Sequence, residues 1–143
     1  MLKRPITAVL VAIVMAAPVA AETFEIKMLN KGEEGAMVFE PAFVAAMPGD
    51  EITFVSVDKG HNAETIKGMI PEGAETFKSA ISKDFSITLD VEGLYGIKCT
   101  PHFALGMVAL IQVGEAVNLK DAQGAKLRGK AKTRFEPLFS QVQ

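Results

Sequence analysis

Cys99, His102 and Met107 fall within one short run, Cys99-Thr100-Pro101-His102-Phe103-Ala104-Leu105-Gly106-Met107. The chain has one cysteine and two histidines. The second histidine, His61, lies upstream in Lys59-Gly60-His61-Asn62. Two imidazoles, a thiolate and a thioether are the donor set of a mononuclear blue-copper site, in which two His and one Cys make a trigonal plane and Met adds a weak axial bond. Nitrogen donors suit Cu(II) and sulfur donors suit Cu(I), so a site holding both rearranges little when one electron moves. Singly, each residue has a plainer use: Met107 as packing, His61 as polar surface, Cys99 as a small buried hydrophobe. Together they account for the only cysteine and every histidine in one pattern. The same donors can also accept zinc.

These residues need a rigid frame. Residues 23–29 alternate apolar and polar, as a half-buried strand does. Residues 30–35 are polar and read as a turn. Residues 37–39 and 42–46 are apolar and extended, with Pro41 between them. Met47-Pro48-Gly49-Asp50 is a turn signal. Strands are then predicted over 51–57, 85–89, 94–99 and 108–113. The donor run is therefore a loop joining two apolar strands, and His61 follows the 51–57 strand. Segment 60–80 is irregular, with room for a helical turn at 75–79. From 118 onward the composition turns to Ala, Lys, Leu and Gln. Asn118 is placed as the cap of a short helix at 119–125, and a second helix is predicted over 132–142, with Pro137 near its start. Many short strands with Gly and Pro between them predict an all-β sandwich or barrel, residues 22–117, followed by a helical tail, 118–143. There is no internal repeat and no low-complexity segment.

The N-terminus reads as an address. Lys3 and Arg4 precede an apolar run from Ile6 to about Ala16, followed by the small residues Ala17, Val19, Ala20 and Ala21. That order is a secretory signal peptide, with cleavage expected after Ala21. The rival, a membrane anchor, is disfavoured because the run falls short of the ~20 residues a spanning helix needs. The remainder, 22–143, is one domain's worth of chain. Residues 1–21 carry two of the fifteen basic residues and none of the seventeen acidic ones, so the mature chain is more acidic than the whole chain's net −2. No basic stripe with interleaved aromatics is present, which argues against nucleic acid as partner. A lone exported thiol cannot pair within its own chain, so it needs another occupant.

The loop from Cys99 to Met107, the Lys59-Gly60-His61-Asn62 run and Leu94-Tyr95-Gly96-Ile97-Lys98 leading into Cys99 resemble the pseudoazurins, periplasmic cupredoxins of bacteria, many of them denitrifiers. The resemblance spans essentially all of 22–143, the helical tail included. It implies an eight-stranded Greek-key sandwich, the cupredoxin fold, with one type 1 copper ion held by His61, Cys99, His102 and Met107. It implies that Asn62 ties the His61 segment to the Cys99 loop and donates a backbone hydrogen bond toward the thiolate, where the plainer reading is a turn residue. Pro101 is expected to shield the site and to deny the thiolate an N–H donor, since proline has none.

His102, within the loop, is expected to be the ligand nearest solvent and so the electron port. Pro101, Phe103, Ala104 and Leu105, with Met37, are expected to form an apolar collar for partners. The alternative for Phe103 and Leu105 is capping of the core. Lys59 and Lys98 lie near the donors in sequence, and the resemblance adds Lys31 and Lys78 to a ring that docks on acidic partners. Candidate partners are copper-containing nitrite reductase and c-type cytochromes, met transiently by a monomer. Two rivals stand beside the carrier reading. A thiol enzyme would have to ignore Met107. A copper chaperone or storage protein would be expected to cluster its methionines, whereas Met28, Met37, Met47, Met69 and Met107 are scattered.

Overall fold

The computed structural model describes residues 11–143. The basic residues Lys3 and Arg4 and the start of the apolar run lie outside the described residues. Residues 11–21 are exposed and form no regular structure. Among the described residues, no helix is long and apolar enough to cross a membrane.

Alternation of apolar side chains builds the first sheet. Strand β1 (Thr23–Gly32) buries Ile26 and Met28 and exposes Glu25 and Lys27. It pairs antiparallel with β2 (Gly35–Glu40) and parallel with β4 (Asp50–Val55). β4 pairs with β6 (Phe85–Leu89), which completes the order β2-β1-β4-β6. The second sheet has the order β3-β8-β7-β5, from β3 (Phe43–Ala46), β8 (Val108–Val113), β7 (Gly93–Lys98) and β5 (Glu64–Thr65). Eight strands in two sheets thus form the expected sandwich. The inner faces bury Ile26, Met28, Phe39, Ile52, Phe54, Tyr95, Ile97 and Ile111 in one core.

The second sheet is covered on its outer face too. A second apolar cluster joins Leu94, Val108 and Leu110 to Ala122, Ala131, Phe135 and Leu138 of the helical tail. Every residue of β8 is buried, which fits a run that is apolar at every position except Gln112 rather than alternating. The tail consists of α1 (Leu119–Gln123) and α2 (Gly129–Phe139). Ala131, Phe135 and Leu138 recur at helical spacing and face the sheet.

Several local expectations need correction. The polar turn at 30–35 is shorter, because β1 continues to Gly32 and the hairpin closes at Gly35. Strand β4 ends at Val55 rather than at 57. Segment 75–79 is extended, not a helical turn: the Thr65 N–H donates to the Phe77 carbonyl at 3.0 Å, and Lys78 bridges Glu64. Asn118 occupies the cap position of α1 but makes no side-chain cap bond. Its amide instead grips the Leu94 main chain, accepting from the N–H at 2.6 Å and donating to the carbonyl at 3.0 Å. Helix α2 begins at Gly129 and runs through Pro137, which sits late in the helix. Finally, the irregular segment after His61 lies across β7. The Ile66 N–H donates to the Gly96 carbonyl at 2.8 Å and the Gly96 N–H to the Met69 carbonyl at 2.7 Å. A Cβ on Gly96 would meet Met69 at 2.7 Å, so glycine permits this close approach.

Candidate metal centre

Strand β7 delivers Cys99 just past its end, and a 3-10 segment, Thr100–Leu105, carries the chain around before β8 begins. Pro101 stands in the first turn, where its missing N–H costs nothing. Gly106 ends the segment with φ 82°, a left-handed conformation that glycine accepts freely. The loop closes on itself: the Cys99 N–H donates to the Met107 carbonyl at 3.0 Å, and the Met107 N–H to the His102 carbonyl at 3.2 Å. Cys99 and Met107 are thereby held side by side at one end of the sandwich.

His61 arrives from the other sheet's connection. Its carbonyl accepts the Ser82 N–H at 2.9 Å, and the Gly60 N–H donates to the Ser82 hydroxyl at 2.8 Å. The His61 Nδ1 then lies 3.1 Å from the His102 Nδ1 and 3.7 Å from the Cys99 Sγ, and the last two are 3.5 Å apart. All three donor atoms lie within 4.8 Å of one another. Metal–nitrogen bonds of about 2.0–2.1 Å and a metal–sulfur bond of about 2.3 Å, 120° apart, place donors roughly 3.5–3.8 Å from each other. The Cys99 separations of 3.5 and 3.7 Å match this and the two imidazole nitrogens, at 3.1 Å, stand somewhat closer, so the triangle is about the size one ion needs. His61, Cys99 and Met107 have no solvent exposure, whereas His102 is half-buried.

Electrostatics point the same way. Burial pushes the Cys99 thiol up, partly offset by the backbone N–H groups of Asn62 and His102. Burial, and then the neighbouring His102, push His61 down. Without a cation, Cys99 and His61 are both pushed toward their neutral forms. Cys99 would hold such a cation as the thiolate, and His61 would use the neutral form that burial already favours.

Asn30 supports the site without any mark in the sequence. The His61 Nε2 lies 2.8 Å from the Asn30 Oδ1. The amide oxygen can only accept, so Nε2 carries the proton and Nδ1 keeps its lone pair toward the other donors. The Asn30 main-chain N–H is held in turn by the Asp58 carboxylate at 2.7 Å. The polar turn 30–35 gave no signal for this, because Asn30 looks like any turn residue.

Asn62 bridges two segments. Its Oδ1 accepts the Thr100 N–H at 2.8 Å, and its Nδ2 donates to the Thr100 hydroxyl at 2.8 Å and to the Ser79 carbonyl at 3.2 Å. Pro101, Ala104 and Leu105 are exposed, Leu105 by 49%. Phe103 is half-buried, packed on the helical-tail cluster, with the Lys98 Nζ 5.2 Å from its ring centroid. Met37 is partly buried against the inner core. Lys31, Lys59 and Lys78 are exposed, whereas Lys98 is partly buried and pairs with Glu64 at 3.8 Å. Each lysine adjoins a supporting segment: Lys31 follows Asn30, Lys59 precedes Gly60, Lys78 precedes Ser79 and Lys98 precedes Cys99.

Residues 26–114 match the family of copper binding proteins described as plastocyanin/azurin. The chain is 57% identical to the pseudoazurin of Paracoccus pantotrophus over 129 residues, covering 90% of this chain and 89% of that protein. It is 46% identical to the pseudoazurin of Methylorubrum extorquens over 134 residues, covering 93% and 90%. The crystal structure of pseudoazurin from Methylobacterium extorquens superposes with a TM-score of 0.82 at 46% identity, covering 85% of this chain and 99% of that one. A fern plastocyanin from Dryopteris crassirhizoma shares the fold alone, with a TM-score of 0.50 at 21% identity and coverage of 63% and 99%. With the cupredoxin fold and the His61, Cys99 and His102 donors in one place, the chain belongs to the pseudoazurins, blue-copper electron carriers of the plastocyanin/azurin family and not enzymes.

Proposed function

We propose that the protein is a periplasmic one-electron shuttle that donates to copper-containing nitrite reductase, with a c-type cytochrome as a further redox partner. The observation that carries this reading is the convergence of the His61, Cys99 and His102 donor atoms within 4.8 Å at one end of a rigid sandwich. In it, His61, Cys99 and His102 would hold the ion and Met107 would add the weak fourth bond. Copper, when bound, supplies the one-electron couple. The chain's own residues supply the rest. Asn62 holds the His61 segment against the Cys99 loop, and Pro101 withholds an N–H from the sulfur and covers it. Small movement of buried donors favours fast transfer. His102, half-buried where the other three are fully buried, is the route to solvent.

Docking is assigned to Lys31, Lys59, Lys78 and Lys98 around the apolar surface of Phe103 and Leu105. Positive charge there steers a monomer toward acidic partners, and a small interface lets it leave quickly. Residues 1–21 are read as a signal peptide removed after Ala21, which leaves 22–143 as the mature domain, with a sandwich over 22–117 and the tail over 118–143. The order of basic, apolar and small residues supports this, as do the exposure and lack of regular structure of residues 11–21.

The test starts with the mature protein and one equivalent of Cu(II), its uptake checked by metal analysis. An intense visible band that bleaches with ascorbate and returns on oxidation is expected. The reduced protein should then be reoxidised by copper nitrite reductase with nitrite present. A colourless copper-loaded protein would remove Cys99 as a ligand. A coloured protein that nitrite reductase leaves reduced would remove that enzyme as the acceptor.

A further inference from the structure

Arg134, on α2, spends its charge on main-chain carbonyls. Its Nη1 donates to the Met37 carbonyl at 2.6 Å and to the Gly106 carbonyl at 3.0 Å, and its Nη2 donates to the Ala36 carbonyl at 2.7 Å. Among the described residues it forms no ion pair. Its charge is partly removed from water, which pushes its pKa down, and Glu34 offsets this in part. A planar fork of donors, rigid and permanently charged, is the group that can hold two chain segments at once.

The segments it joins matter. Ala36 and Met37 open β2, and Met37 has φ 54°, unusual for a residue with a side chain. Gly106 is the residue directly before Met107. A Cβ on Gly106 would lie 2.9 Å from the Lys130 Cγ and 3.0 Å from the Arg134 Cδ, so the loop rests on the first turns of α2 with no space between. Met107 is thus held from two sides. The loop's own bonds to Cys99 and His102 hold one side, and the Gly106 carbonyl on the guanidinium holds the other.

We propose that Arg134 is a positioning residue of the metal centre, clamping the Gly106 carbonyl and so setting how closely Met107 approaches an ion held by His61, Cys99 and His102. This rests on the reading of Met107 as the axial ligand. An axial thioether bond is weak and long, so a small shift of its backbone changes the electronic structure while the equatorial donors stay in place. The helical tail is then part of the tuning of the site as well as a cover for the sheet.

The test compares Arg134→Gln, Arg134→Lys, Leu138→Ala and Met107→Leu in the full copper-loaded protein. Leu138→Ala loosens the packing of α2 without touching the clamp. The readouts are the ratio of the visible thiolate bands, the midpoint potential and, in the metal-free protein, amide exchange at Gly106 and Met107. Arg134→Gln is expected to shift the band ratio and the potential, and to speed exchange at those two amides about tenfold or more, the scale of one lost charged hydrogen bond. Arg134→Lys should restore part of the shift, and it keeps the test open where Arg134→Gln does not fold. Leu138→Ala should lower stability and leave the spectrum alone. Unchanged spectra in both Arg134 variants, or an equal shift in Leu138→Ala, would overturn the clamp. An unchanged spectrum in Met107→Leu would instead overturn the axial reading beneath it.

Discussion

His61 is held through both ring nitrogens, one toward the other donors and one by the Asn30 amide oxygen. Outer partners of this kind fix the tautomer and orientation of a ligand, and their loss typically costs 10–100-fold in metal affinity. Asn30→Ala is therefore expected to weaken copper binding by about that factor in a chelator competition, with the visible band retained at saturating copper. An affinity equal to that of the parent would mean that His61 is oriented by its backbone bonds to Ser82 alone. Asn30→Asp should bind at least as well as the parent, because its carboxylate still accepts from Nε2. Lys98 tells the opposite story at the same scale. Its charge is shared with Glu64, whose carboxylate also accepts the Thr100 hydroxyl at 2.7 Å. An exposed or half-exposed pair of this kind contributes little to stability, so its interest lies in how it tempers the positive surface.

Between elements, long-range side-chain bonds join what the strands alone would leave loose. Asn118 fastens the start of the tail to β7 through both Leu94 main-chain groups. Asn118→Ala strands a buried N–H and is expected to cost about 2 kcal/mol in denaturant unfolding, with the spectrum of the copper site unchanged. A loss below about 0.5 kcal/mol would show that water replaces the amide. Asp50 does similar work at the start of β4. Its two oxygens accept the N–H groups of Glu22 and Met47, each at 2.8 Å, and these bonds hold its carboxyl below the usual 3.8. A carboxylate with a depressed folded pKa stabilises above its unfolded value. That contribution is lost as pH falls from about 3.8 through the lower folded pKa. Asp50→Asn should therefore lower stability at neutral pH and narrow the gap to the parent as pH drops below that value. A gap constant with pH would remove the carboxylate from the account. With cleavage after Ala21, as proposed, the Glu22 nitrogen becomes an ammonium facing the same carboxylate, which deepens the effect.

For the whole molecule, the proposed docking asks a chain of net negative charge to carry a local patch of lysines. Net charge is −2, yet Lys31, Lys59, Lys78 and Lys98 all adjoin segments that support the site. Steering by such a patch is an effect on encounter rate that salt screens, with a Debye length of about 8 Å at physiological ionic strength. The double change Lys59→Glu and Lys98→Glu is expected to slow the bimolecular rate with nitrite reductase and to flatten its dependence on ionic strength. Stopped-flow rates at several salt concentrations measure this. A rate and slope equal to the parent's would remove lysine steering. Lys59→Glu alone should carry most of the effect, because Lys98 is already paired with Glu64.

Rare residue types made the metal centre legible from sequence. One cysteine, two histidines and a spaced methionine leave few arrangements, and a lone thiol in a chain read as exported needs an occupant. Alternation over 23–29 and 85–89 and the apolar runs around Cys99 announced a sandwich, because a strand with one buried face must alternate. What tertiary structure alone decided is of another kind. Asn30, Asn118 and Arg134 are ordinary polar residues whose partners lie 31, 24 and 28 positions away. No local pattern marks such a bond, since it exists only once sheet order and helix docking bring the two segments together. The unbroken burial of β8 is the same lesson in packing: its apolar run was visible, but that a helical tail covers its outer face follows only from how the two clusters assemble.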